Sequence, residues 1–212
     1  MIEKEIFGKT CRVEDNLSGG ACVFFAYDTM DEPDNIARLV RERCAALPYR
    51  LVAFPVSNWN GELSPWKADG VFNGQDFAGN GPETLDWVIK AAKEQNGAMI
   101  AGYSLAGLFA LWSSCETYIF KGAASCSGSL WFPGWVDYLE GHKINAELVY
   151  LSLGDREEKT RNLIMAQVGD NTRALAQRLG IEVVWNKGNH FKDAEERLAA
   201  GIAWLIDSYV SA

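Results

Sequence analysis

The chain has 212 residues, 48% of them hydrophobic and 23% charged, which suits one domain with a substantial core and argues against a disordered chain. A net charge of −8 and a pI near 4.9, with no basic cluster to override them, argue against nucleic acid as a partner. Met1–Ile6 places acids where an export signal needs basic residues before an apolar core. The five cysteines, Cys11, Cys22, Cys44, Cys115 and Cys126, form an odd set without close metal-type pairs. Reduced thiols, a cytoplasmic location and no metal site are therefore expected.

Residues 5–13 alternate polar and apolar side chains and end in the turn cluster 14–20, a pattern for an antiparallel edge strand or hairpin. Ala21–Ala26 is a continuous apolar run and predicts a central strand. Asp31-Glu32-Pro33-Asp34 opens an amphipathic helix that runs to Pro48, and 49–56 is the next strand. The stretch 57–81 has no regular pattern, with glycines scattered among Trp59, Trp66, Phe72 and Phe77. Loops this long are functional or disordered; the aromatics favour function, with rings that merely plug the loop onto the domain as the alternative. Residues 82–95 have an acidic first turn, a basic end and one apolar face, so a helix is expected there.

Residues 98–112 are the longest mostly apolar segment. At 15 residues it is shorter than the about 20 needed to cross a bilayer, and it carries Tyr103, Ser104 and two glycines inside. It reads instead as a buried strand, a sharp turn at Ser104 and a buried helix. Strands follow at 120–127, 147–153 and 181–185, with the aromatic loop Trp131-Phe132-Pro133-Gly134-Trp135, a helix over 174–179 ended by Gly180, and a closing helix over 191–209. Strands alternating with helices predict a mostly parallel sheet covered on both faces, in one domain spanning 1–212. In such sheets ligands bind beyond the carboxyl ends of the strands: just past residues 26, 56, 102, 127, 153 and 185.

Those positions carry the chemistry. Ser104 stands between Gly102 and Ala106, the small residues that let a helix fold back close to a strand at a nucleophile elbow; Ala106 replaces the more usual glycine. A serine hydroxyl needs a base. His190 follows the last strand on a glycine-containing loop, whereas His142, the other histidine, sits in a polar turn before a strand and reads as solvated. The carboxylate that orients the base is expected after Leu153, where Asp155, Glu157 and Glu158 cluster; composition does not choose among them, and Asp137 is a more distant candidate. Backbone N–H groups of Leu105 and of Tyr27, the first residue past an early strand, are the expected oxyanion donors. No G-x-G-x-x-G or P-loop follows the first strands, which disfavours nucleotide binding.

The order Ser, acid, His, each beyond a strand, together with Gly102-Tyr103-Ser104-Leu105-Ala106-Gly107-Leu108-Phe109-Ala110-Leu111, resembles the esterase branch of the α/β-hydrolases, with its esterase D-like, feruloyl esterase-like and siderophore trilactone esterase-like members. The resemblance implies an α/β-hydrolase fold and a serine esterase mechanism without metal or organic cofactor. It also favours Glu157, three past Gly154, as the acid. The expected partner is a small-molecule ester, met by Tyr103, Trp59, Trp66 and Trp131, with no separate lid domain. The same residues would serve acyl transfer, thioester or amide cleavage, or a fold kept for binding alone.

Overall fold

A computed structural model describes residues 1–71 and 75–212; Phe72 and Gly74 lie outside the described residues. A hairpin of β1 (Ile2–Ile6) and β2 (Lys9–Asn16) leads into β3 (Ala21–Tyr27), α1 (Glu32–Cys44) and β4 (Tyr49–Pro55). The connection after β4 holds a one-turn helix α2 (Trp59–Glu62) and a small hairpin of β5 (Lys67–Ala68) and β6 (Phe77–Ala78), so the stretch read as irregular carries short regular pieces. Then come α3 (Gly81–Ala92), β7 (Ala98–Tyr103), α4 (Leu105–Glu116), β8 (Gly122–Cys126), α5 (Trp135–Gly141), β9 (Leu148–Gly154), α6 (Val168–Leu179), β10 (Val183–Asn186) and α7 (Ala194–Val210).

The main sheet has eight strands in the order β1-β2-β4-β3-β7-β8-β9-β10. Among the described residues of this sheet, the β1–β2 and β2–β4 pairings are antiparallel and the rest are parallel. The N-terminal hairpin is thus the antiparallel edge that its alternating pattern predicts. The period of two along each strand divides the core. Cys22, Phe24 and Ala26 of β3 point with Val52, Phe54 and Ile100 toward α3 and α4. Val23, Phe25 and Tyr27 point with Leu51, Met99 and Ala101 toward α1 and α7. Burial on both faces explains why the central strands read as unbroken apolar runs.

Helix α4 is buried almost all round, from Leu105 to Ser114, so it packs tightly behind β7. A Cβ on Gly102 would come within 2.1 Å of the Ala106 carbonyl oxygen. Glycine at 102 is therefore obligatory for the strand and helix to approach, whereas Ala106 keeps its methyl. Among the described residues no helix is long and apolar enough to cross a membrane, and the five cysteines are free thiols. Burial pushes the Cys126 thiol up to about 12, which leaves it an unreactive packing group.

Candidate active site

The turn from β7 into α4 places Ser104 at φ 56° and ψ −123°, a backbone conformation that L-residues adopt at a cost of about 1–3 kcal/mol. Neighbours hold it there: the Ser104 N–H donates to the Cys126 carbonyl at 3.1 Å, and the Ser104 carbonyl accepts from the N–H groups of Gly107, Leu108 and Ser129. The result lifts the hydroxyl out of the sheet plane at the strand's carboxyl end. Ser104 Oγ lies 2.9 Å from His190 Nε2, and His190 Nδ1 lies 2.7 Å from Glu157 Oε2.

His190 reaches this point from the loop after β10, and Glu157 from the turn after β9. Folding brings 104, 157 and 190 together because β7, β8, β9 and β10 are successive parallel neighbours that end on the same edge. The Glu157 side chain is 4% exposed and the imidazole 27%. Burial alone would raise the Glu157 carboxyl, but the hydrogen bonds from His190, Ser127 and the Gly154 N–H outweigh it and hold the group below its ordinary value. An ionised Glu157 accepts only, so the imidazole proton sits on Nδ1 and Nε2 is free to accept from the serine hydroxyl.

Glu157 Oε1 accepts from Ser127 Oγ at 2.7 Å, from the Gly154 N–H at 2.7 Å and from Arg197 Nη1 at 3.0 Å. A Cβ on Gly154 would lie 2.5 Å from the Gly188 carbonyl oxygen and 2.8 Å from Glu157 Oε1, so only glycine lets the acid turn pack under the His190 loop. Sequence reasoning missed Ser127 and Arg197. Arg197 left little trace in the sequence: it follows Glu195 and Glu196 in the charged first turn of α7, yet it starts the buried run that continues through Leu198 and Ala199.

Asp155, two residues before Glu157, goes elsewhere. Its carboxylate accepts from the Gly188 N–H at 2.8 Å, which keeps it below its ordinary value and ties the acid turn to the loop before His190. Of the three carboxylates left open by composition, Glu157 meets the imidazole, while Glu158 pairs with Arg173. Asp137 lies in the first turn of α5, and His142 stacks on Tyr138 at the end of that helix, with ring centroids 3.9 Å apart.

The cleft beside Ser104 and His190 is lined by Trp59, Phe77, Leu105, Trp131, Met165 and Val168. Leu105 is the first residue of α4, where helix geometry leaves the N–H without an intrahelical acceptor. Trp59 and Trp131 line the cleft as expected from sequence, but Trp66 does not. Its indole N–H donates to the Pro133 carbonyl at 2.9 Å, and its ring packs on Phe132 and Tyr138, plugging the connection onto α5. Tyr103, also expected to meet substrate, lies outside this cleft, in an adjoining hollow, where its hydroxyl donates to the His190 carbonyl at 2.5 Å; it braces the histidine loop.

Tyr27 also departs from expectation. Its ring is buried among the residues packed between the sheet, α1 and α7, and its carbonyl accepts from the Val56 N–H on the β4 side. In a parallel ladder a residue's N–H and C=O face the same neighbour, so the Tyr27 N–H faces β4, away from β7 and Ser104. Asp28, the next residue, lines an adjoining hollow with Trp59, Tyr103, Ser104 and His190.

No protein-family model matches the sequence, and no curated protein matches it. Solved structures do. An IroE-like serine hydrolase from Shewanella oneidensis superposes with a TM-score of 0.73 at 17% identity, over 94% of this chain and 76% of that one. Est1E from Butyrivibrio proteoclasticus gives 0.61 at 11% identity, over 100% and 99% of the two chains. A thioesterase domain from the curacin biosynthetic pathway gives 0.56 at 11% identity, over 97% and 98%. With its strand order, its sharp turn at Ser104 and these likenesses, the chain has the α/β-hydrolase fold.

Proposed function

We propose that this protein is a serine hydrolase of the carboxylesterase type that acts on a small-molecule ester. The observation that carries the reading is the unbroken hydrogen-bonded line from Ser104 Oγ through His190 to Glu157, at 2.9 Å and 2.7 Å. His190 takes the Ser104 proton as the hydroxyl attacks the ester carbonyl, and Glu157 keeps the imidazole oriented and balances the imidazolium that forms. The Leu105 N–H stabilises the tetrahedral oxyanion, with the Asp28 N–H from the loop after β3 as the second donor. His190 then returns the proton to the departing alcohol, and water, activated the same way, releases the acid from Ser104. The aromatic and aliphatic walls of the cleft favour an apolar acyl group.

A thioester is the second candidate substrate, favoured by the similarity to a thioesterase domain, since the same three residues serve both. Hydrolysis of a panel of esters, thioesters and amides, with Ser104→Ala as control, tests the reading and ranks the two substrates. Ester turnover by the wild type and none by the variant is expected.

A further inference from the structure

Arg197 is 2% exposed at its side chain and lies on α7, the helix that follows the His190 loop. A buried guanidinium is costly unless its donors are used; the two terminal nitrogens of this one are directed at the structures around Ser104, while Nε has no partner among the described residues. Nη1 donates to Glu157 Oε1 at 3.0 Å, to Ser127 Oγ at 3.2 Å and toward the Tyr103 hydroxyl at 3.4 Å. Nη2 donates to the Lys187 carbonyl at 3.3 Å, in the loop that carries His190.

We infer that Arg197 is a positioning residue: its planar fork fixes the Glu157 carboxylate and the His190 loop in one arrangement, so that Oε2 alone is presented to the imidazole. The inference rests on the hydrolase reading for its kinetic consequence and on geometry alone for its structural one. Glu157 has two oxygens and one rotatable carboxyl. Ser127 and the Gly154 N–H also hold Oε1, but neither is charged and neither donates to the His190 loop. Arg197 does both, and a lysine keeps the charge without the fork.

The test compares wild type, Arg197→Gln and Arg197→Lys by steady-state kinetics, thermal melting and the low-field proton resonance of an imidazole N–H bound to a carboxylate. Ser104→Ala, which leaves His190 and Glu157 paired, serves as the reference for that resonance. For folded Arg197→Gln, kcat falls by about 10- to 100-fold, the effect of a misplaced catalytic group, KM changes little and the resonance is lost or broadened. Arg197→Lys shows a smaller loss of kcat in the same direction. Folded variants with wild-type kcat and an unmoved resonance overturn the inference. If Arg197→Gln does not fold, Arg197→Lys decides on the same two readouts. Should the wild type hydrolyse no ester, the hydrolase reading fails, and the resonance still tests Arg197 by itself.

Discussion

Two regions beyond the carboxyl edge of the sheet were built by different forces. The turns after β7, β9 and β10 meet through directed polar contacts: Ser104, Glu157 and His190 form one line, and Asp155 and Arg197 hold the flanking loops by hydrogen bonds. The connection after β4 adds aromatic packing to its own hydrogen bonds, and its two tryptophans part ways. Trp59 faces the cleft, while Trp66 wedges against Phe132 and Tyr138. A polar group at a strand end has few places where its charge or hydrogen bonds are satisfied, so position in the chain narrows its role to a few candidates. An aromatic ring is stabilised by burial anywhere apolar, so its role depends on the fold.

The sharpest way to break the comparison is inside the polar region itself. Glu157→Ala lowers kcat by about 10⁴-fold, the scale of losing a triad acid, while Asp155→Ala, which removes only the bond to the Gly188 N–H, lowers it several-fold at most. Equal losses for the two would place the acid elsewhere. Steady-state kinetics on one ester substrate settles the pair.

The aromatic region gives the next largest effects, and they fall on different quantities. Trp66→Ala costs about 2–3 kcal/mol of stability, below the about 3–5 kcal/mol of a fully buried tryptophan, with modest change in KM. Trp131→Ala raises KM or alters the preference among acyl groups with little change in melting temperature. Denaturant melts and a series of acyl chain lengths check both; a Trp66 variant of unchanged stability would mean that the ring is not a plug.

The smallest effect is on pH. The Glu157 carboxyl is held below its ordinary value of 4.5, so the unfolded chain binds the proton more readily and the stability it contributes is fully present above about pH 4.5. That contribution is lost as pH falls through the lowered folded value. Melting temperatures of the wild type and Glu157→Gln, followed downward from pH 4.5, should converge as the carboxyl takes up its proton; a gap that stays unchanged over that range would contradict the shift.

The same contrast explains what was readable in the sequence. The alternation of strands and helices, the edge hairpin and the turn at Ser104 follow from periodicity and from small residues at fixed offsets, which are local properties. His190 is the candidate base because the sequence has two histidines and one of them follows the last strand. The choice between Asp155 and Glu157 was not local: it depends on how the turn after Gly154 sits against Gly188. Tyr27 failed as an oxyanion donor for a one-residue reason, since consecutive strand residues present their N–H groups to opposite neighbours. Trp66 failed because nothing in its immediate sequence distinguishes a ring facing the cleft from one facing α5.

The central claim is that the hydroxyl of Ser104, activated by His190, attacks an acyl carbon. Turnover of a reactive aryl ester by wild type, Ser104→Ala and His190→Ala, each verified as folded by its melt, tests it most directly. Turnover by the wild type is expected, with loss of nearly all of it, on the order of 10⁶-fold in kcat for a complete triad, in both variants. Turnover that survives in folded Ser104→Ala would contradict it.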